Sequence, residues 1–242
     1  MRVAVLGARG RMGTMVCEAI TSAPDLELAS QLDVDNDITE LQQQNIDVIV
    51  DFTTPDAVMN HITYAIQTKT HIVVGTSGFT PERLALVEKE AMKAPDVGVL
   101  IVPNFSIGAI LLAKLAQRAA PYFDSVEIIE LHHERKVDAP SQTARFTAEE
   151  IAANRKGKAN LDATKGSREA RGLDVAGIPI HSIRLPGLFA HEEVLFGNPG
   201  EILSLRHDST DRSAYMPGVL SAIRGIQANL GFHVGLDAIL KL

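Results

Sequence analysis

The chain has 242 residues, 45% hydrophobic and 22% charged, the composition of a globular protein rather than a disordered one. Folding at that length removes roughly 70–75% of the unfolded surface from water, so a core needs neither disulfide nor metal. Lys and Arg total 23 against 30 Asp and Glu, a net charge of −7, with one cysteine, Cys17; this disfavours general nucleic-acid or membrane-surface binding and excludes an internal disulfide or a cysteine zinc cluster.

No apolar run reaches the ~18–20 residues of a membrane span. The lone thiol fits a reducing compartment, so cytoplasm is the expected location. Val3 to Leu6 reads as a strand too brief for a signal-peptide core, and Met12, Met15, Val16, Ala19 and Ile20 follow at helical spacing. Leu26 to Leu32 is a second strand and Asp47 to Phe52 a third, after which Thr54 caps a helix with Pro55 at its first position. His71 to Val74 is a fourth strand, Thr80-Pro81 opens the next helix, and Val97 to Val102 is a fifth strand. This alternation predicts βαβ units and an α/β fold with a doubly wound, Rossmann-like parallel sheet.

After Pro103 the rhythm changes. A helix is expected over Ile107 to Ala120, a strand over Val126 to Leu131 and a helix from about Gln142. Arg155 to Gly177 lacks a sustained period and reads as a loop or solvated arm with six basic residues. Strand patterns at Ile180 to Leu185, Glu193 to Phe196 and Ile202 to His207, the last two joined through Gly197-Asn198-Pro199-Gly200, predict a second, α+β domain with a mixed or antiparallel sheet. A last helix spans about Gly218 to Leu230.

Gly7-Ala8-Arg9-Gly10-Arg11-Met12-Gly13 lies between a strand and a helix. Glycines there permit a tight turn and close approach of a pyrophosphate, which the helix N–H groups can bind. Asp33, 20 residues after Gly13, stands where a carboxylate accepts ribose hydroxyls. Arg9 and Arg11 can neutralise a 2′-phosphate or remain solvated charges, so both NADH and NADPH are candidate cofactors. Gly75-Thr76-Ser77-Gly78 and Val102-Pro103-Asn104-Phe105 follow strand ends, where an open sheet builds its ligand crevice, though either can be plain turn chemistry.

The densest polar cluster runs from Glu130 to Ala144. His132, His133 and Lys136 precede a helix capped by Ser141, so this loop can hold a carboxylate with Thr143 and backbone N–H groups and can deliver a proton. A solvated surface loop is the alternative. A zinc helix is disfavoured because His133-Glu134-Arg135-Lys136 lacks the second histidine, and no metal is expected. His191 and His207 read as structural or exposed.

Taken together, Val5 to Gly13, Asp51-Phe52-Thr53, Val74 to Gly78, Pro103-Asn104-Phe105-Ser106, Glu130-Leu131-His132-His133 through Lys136-Val137-Asp138-Ala139-Pro140-Ser141, and Ala190-His191-Glu192 resemble the 4-hydroxy-tetrahydrodipicolinate (dihydrodipicolinate) reductase family. The resemblance implies NADH- or NADPH-dependent reduction of a cyclic dicarboxylate in the diaminopimelate route to lysine. It implies a dinucleotide domain of residues 1–105 with 216–242, and a substrate and tetramerisation domain of residues 106–215. By resemblance, the cofactor lies on Gly7, Ala8, Arg9, Gly10, Arg11, Met12, Asp33, Phe52, Gly75, Thr76, Ser77, Val102, Pro103, Asn104 and Phe105. His132 and Lys136 match proton-transfer positions, and His133, Ser141, Gln142 and Thr143 substrate positions. The family pattern Ser-Gly-Thr-Ala becomes Ser141-Gln142-Thr143-Ala144 here. That departure keeps two alternatives in view: another two-domain nicotinamide oxidoreductase, or an NAD(H)-binding protein without turnover.

Overall fold

Val3 to Val5, Val48 to Val50 and Ile72 to Val74 are fully removed from solvent, as parallel strands covered on both faces must be. They lie in the first of two units, Met1–Ile107 with Tyr215–Leu242 and Gly108–Ala214, of a computed structural model that describes residues 1–155, 157–162 and 168–241. The chain begins β1 (Arg2–Leu6), α1 (Arg11–Thr21), β2 (Glu27–Leu32), β3 (Val48–Asp51), α2 (Val58–Gln67), β4 (His71–Val74), α3 (Pro81–Ala91) and β5 (Gly98–Ile101). It continues with α4 (Ile107–Ala119), β6 (Ser125–His132), α5 (Gln142–Asn154), β7 (Leu173–Val175), β8 (Ile178–Arg184), β9 (Ala190–Asn198) and β10 (Glu201–Ser209). The last elements are α6 (Met216–Gly225), β11 (Gly231–Val234) and α7 (Asp237–Leu240).

The first sheet has the order β11-β5-β4-β3-β1-β2, every pair parallel. Helices α2 and α3 close one face on Ala4, Leu6, Ile49, Ile72 and Val74. Val3 and Val5 point the other way and are equally buried, with α1 packed on β1 and β2 and α6 on α1. Strand order reverses between β1 and β3, which places the ligand crevice of such a sheet at their carboxyl ends.

Two details differ from the sequence expectation. Helix α2 starts at Val58 rather than Pro55, because the Thr54 carbonyl accepts the N–H groups of Ala57 and Val58 at 3.2 and 3.1 Å and closes a turn first. Strand β11, four residues with a glycine start, was not expected and extends the sheet beside β5.

The second sheet has the order β10-β9-β6-β8-β7, with β6 antiparallel to β9 and parallel to β8. Val126, Ile128, Ile178, Ile180, Val194 and Phe196 pack against Leu112 and Ala116 of α4 and Ala144, Ala148 and Ile151 of α5. Part of the expected arm is ordered structure: β7 pairs with β8, and Arg155 is buried, donating to the carbonyls of Phe123 and Asp124 at 3.3 and 2.7 Å. Arg171 pairs with Glu127. Lys156 and residues 163–167 of that arm lie outside the described residues.

Within the first unit, Gly218 shows how tightly α6 sits against the segment that follows β5, since a Cβ there would overlap the Phe105 backbone oxygen. Alanine ordinarily gains ~1 kcal/mol over glycine within a helix, but crowding against a backbone atom costs about 1–3 kcal/mol. Gly218→Ala is therefore expected to lower the urea midpoint of unfolding, and a raised midpoint would contradict this packing.

Candidate active site

Gly7 adopts φ +74°, and a Cβ on it would strike the Phe52 carbonyl across the β1/β3 switch point. Glycine is therefore required both by conformation and by space. Gly13 is likewise closed to a side chain by the Gly7 carbonyl. Gly10 caps α1 with no side-chain hydrogen bond, and the first turn holds no acid. The N–H of Gly10 returns to Gly7 and that of Thr14 to Gly10, which leaves those of Arg11, Met12 and Gly13 as the open donors of a helix start.

Asp33 follows β2 beside this loop. Its Oδ2 accepts the Arg9 N–H at 2.8 Å and its Oδ1 the Val34 N–H at 2.9 Å, and these backbone bonds hold its pKa below the ordinary carboxylate value, against a small burial effect. A carboxylate has about four acceptor positions, so room remains for two ribose hydroxyls. The Arg9 guanidinium is 2.6 Å from Asp35 and 3.6 Å from Asp33, whereas Arg11 is exposed. A cavity of about 430 Å³ bordered by Gly7, Gly10, Asp33, Phe52, Thr53 and His61 completes the crevice. The glycine cradle, open donors and ribose acceptor fit a dinucleotide.

The neighbouring strand ends are tied beneath it by Asp51, which is fully buried. Its carboxylate accepts Thr53 N–H and hydroxyl at 3.0 and 2.8 Å, the Thr76 hydroxyl at 2.6 Å and His61 Nδ1 at 2.6 Å. Burial opposes its charge, yet these bonds keep its pKa lowered. Gly75 leaves no space for a Cβ between the Phe52 and Phe105 rings, whose centroids are 5.5 Å apart. Ser77 and Pro103 are exposed, while Ala8, Thr76, Val102 and Phe105 are buried, so backbone rather than side chain is what these four offer a ligand. Asn104 Oδ1 accepts the Ser106 N–H at 2.8 Å.

In the second unit the apolar row Val126, Ile128 on β6 continues into a fully buried acid, Glu130. Its Oε2 accepts His132 Nδ1–H at 2.5 Å and Arg184 at 2.8 Å, while Oε1 accepts Arg184 at 2.7 Å and the Ser141 N–H at 3.2 Å. Burial works against the charge, but bonds from His132, Arg184 and Ser182 prevail and bring its pKa down to about 2. An ionised carboxylate only accepts. His132 is thereby held in the Nδ1–H tautomer, which leaves Nε2 as an acceptor.

Lys136 reaches Asp138 at 2.7 and 2.9 Å, and Arg184 also donates to the Asp138 carbonyl at 2.7 Å. His133 Nδ1 accepts the Arg135 N–H at 3.2 Å. Ser141 caps α5 by accepting the Ala144 N–H at 3.2 Å. Gln142 and Thr143 form the first two helical positions, where N–H groups point out of the helix. One network thus gathers His132, Lys136 and Ser141, with His133, Gln142 and Thr143 as their chain neighbours.

The family model "Dihydrodipicolinate reductase, N-terminus" matches residues 1–105, and "Dihydrodipicolinate reductase, C-terminus" matches residues 108–240. The chain is 50% identical over 244 aligned residues, the full length of both chains, to the 4-hydroxy-tetrahydrodipicolinate reductase of Mycobacterium marinum (strain ATCC BAA-535 / M). It is 51% identical, again at full coverage, to that of Mycolicibacterium smegmatis (strain ATCC 700084 / mc(2)155). The chain belongs to the dihydrodipicolinate reductase family. A solved dipicolinate-bound dihydrodipicolinate reductase from Paenisporosarcina sp. TG-14 superposes with a TM-score of 0.90 at 36% identity, covering 98% of each chain.

Position 142 carries glutamine where the family pattern has glycine. Its φ lies outside the left-handed region, so replacing glycine costs no backbone strain; its side chain is exposed and its N–H meets the Asp138 carboxylate. Glu130, Arg184, Asp51 and His61 were not assigned roles from the sequence. The signal for Glu130 was an acid in the inward row of a strand, but nothing local announces Arg184, which is 54 residues away. Among the described residues there is no metal-binding cluster and no helix long and apolar enough to cross a membrane.

The Glu130 network has a pH signature. Its folded pKa of about 2 lies below the ordinary 4.5, so its contribution to stability is complete above the unfolded value and is lost as pH falls from about 4.5 towards 2. Thermal melts of wild type and Glu130→Gln over that window are expected to show the steeper acid loss in wild type. Parallel curves would contradict a charged Glu130.

Proposed function

We propose that the chain catalyses NADH- or NADPH-dependent reduction of 4-hydroxy-tetrahydrodipicolinate to tetrahydrodipicolinate in the diaminopimelate route to lysine. Full-length identity of 50% to reductases of that name carries this reading. Bound reduced nicotinamide supplies a hydride. The chain supplies the rest: donors for the two substrate carboxylates, and a proton for the negative charge that develops on the ring, the 4-hydroxyl leaving as water.

Thr143, the start of α5 and His133 take a carboxylate, as charge-assisted bonds at a helix N-terminus do. Lys136, as the ammonium, and His132, once Nε2 has taken a proton from solvent while Nδ1–H stays on Glu130, form the proton-delivering pair. Glu130 is a positioning residue, since it sets the His132 tautomer without facing the substrate. Gln142 is compatible with turnover because its backbone needs no unusual φ, so a binding protein without activity is the weaker reading. A homotetramer in the cytoplasm is the working assembly. In its support, the open face of the second sheet exposes Ile183 and Ile202.

His132→Ala and Lys136→Ala are each expected to lower kcat by ~10²–10⁴ while cofactor affinity stays near wild type. Arg135, which is exposed, should tolerate alanine. Oxidation of NADPH coupled to the upstream condensing enzyme checks this, and near-normal kcat in Lys136→Ala would remove it from proton delivery.

Cofactor choice is separable. Arg9 already answers Asp33 and Asp35, so Arg11 is the cation available to a 2′-phosphate. Arg11→Ala should raise KM for NADPH more than for NADH. An equal rise for both would assign Arg11 to the shared pyrophosphate.

A further inference from the structure

Glu192 is a second buried acid in the Gly108–Ala214 unit, only 6% exposed. It stands on β9 directly opposite Glu130 of β6 and opposite His207 of β10. It belongs to the inward row that continues as Val194 and Phe196 under α4 and α5. Its Oε1 has no hydrogen-bond partner among the described residues. Its carboxyl meets the Thr147 hydroxyl of α5.

Thr147 is fully buried, and its hydroxyl donates to the Thr143 carbonyl at 3.1 Å. A hydroxyl has one proton. With that proton on Thr143, the bond between Glu192 and Thr147 requires a proton on Glu192. An ionised Glu192 draws the Thr147 proton to itself and releases the Thr143 carbonyl. Burial first, and the Glu130 charge after it, push the Glu192 pKa up to about 7 against the Thr147 bond. The ionisable groups around it are Glu130 and His132 on β6, with Arg184 of β8 on Glu130, and His207 on β10, whose pKa burial lowers. The buried positions of α4 and α5 carry no ionisable side chain.

We propose that Glu192 is a positioning residue that acts through Thr147 on the first turn of α5, and that its ionisation loosens the hold of that turn on a substrate carboxylate. The proposal rests on the dicarboxylate reading of Thr143. Loss of the proton adds negative charge behind a site for a dianion and turns the Thr147 hydroxyl away from the substrate-binding turn. Both changes act on the carboxylate-binding turn of α5, so the effect falls mainly on KM.

The test uses the full chain and pyridine-2,6-dicarboxylate as a non-reacting probe, with affinity measured by calorimetry from about pH 6 to 8.5 and KM and kcat for the substrate beside it. Wild-type affinity is expected to fall roughly tenfold across that range, the order of effect that one added charge exerts on a nearby anion at intermediate dielectric. Glu192→Gln, isosteric and unable to ionise, is expected to give a flat profile at an affinity near that of wild type at the low-pH end. Glu192→Leu, neutral but unable to bond Thr147, should be flat at lower affinity. Folding is read independently: wild-type stability declines as pH rises from about 4.5 to 7, because the folded pKa is the higher one, and Glu192→Gln should escape that decline. A pH profile for Glu192→Gln that matches wild type overturns the proposal. A wild type that neither binds the probe nor reduces the substrate at any pH removes the functional reading instead, and this inference falls with it.

Discussion

A carboxylate cannot be left bare in a protein interior, and Glu130 is fully buried at the end of an apolar row. Its charge is met from three elements: His132 on its own strand, Arg184 on β8 and the Ser141 N–H at the start of α5. The loop from His133 to Pro140 is consequently pinned at both ends and in the middle, where Arg184 takes the Asp138 carbonyl. Because a half-satisfied buried network is worse than none, the same requirement that stabilises the charge also fixes the groups around it. Preorganisation of His132 and Lys136, the pair proposed for proton delivery, follows from electrostatics at Glu130 rather than from the loop sequence itself.

The first unit solves a parallel problem in the same way. Asp51 closes the inward row of β3, is fully buried, and gathers Thr53, Thr76 and His61 around its carboxylate. That bond set holds the ends of β3 and β4 at the height of the glycine loop, whose Gly7 approaches the Phe52 carbonyl too closely for any other residue. In both units a buried acid at a strand end, bonded to a histidine, converts a sheet edge into a rigid platform.

Much of the first unit could be read from the chain, because apolar rows of four or five residues alternated with helical spacing and were punctuated by Thr-Pro and glycine. The exceptions were physical rather than accidental. Pro55 starts a turn, since Thr54 spends its carbonyl on two N–H groups, and β11 is too short to announce itself. In the second unit the polar run from Glu130 to Ala144 could be singled out as the densest polar cluster, but composition alone left it balanced between site and solvated loop. Its distinguishing feature, an acid on the inward side of a strand, becomes decisive only with Arg184, a partner set by β6/β8 register. Arg155 misled for the opposite reason: a basic residue in a polar stretch looks solvated, yet two carbonyls in the interior claim it.

The direct test of this account is the protonation pattern of one ring. With uniformly ¹⁵N-labelled imidazoles, the long-range nitrogen shifts of neutral His132 report which nitrogen carries the proton. A charged Glu130 accepting from Nδ1 requires the Nδ1–H tautomer in wild type and a shift towards the solution mixture in Glu130→Ala. An Nε2–H tautomer in wild type, or a pattern indifferent to Glu130, would contradict the role assigned to that carboxylate.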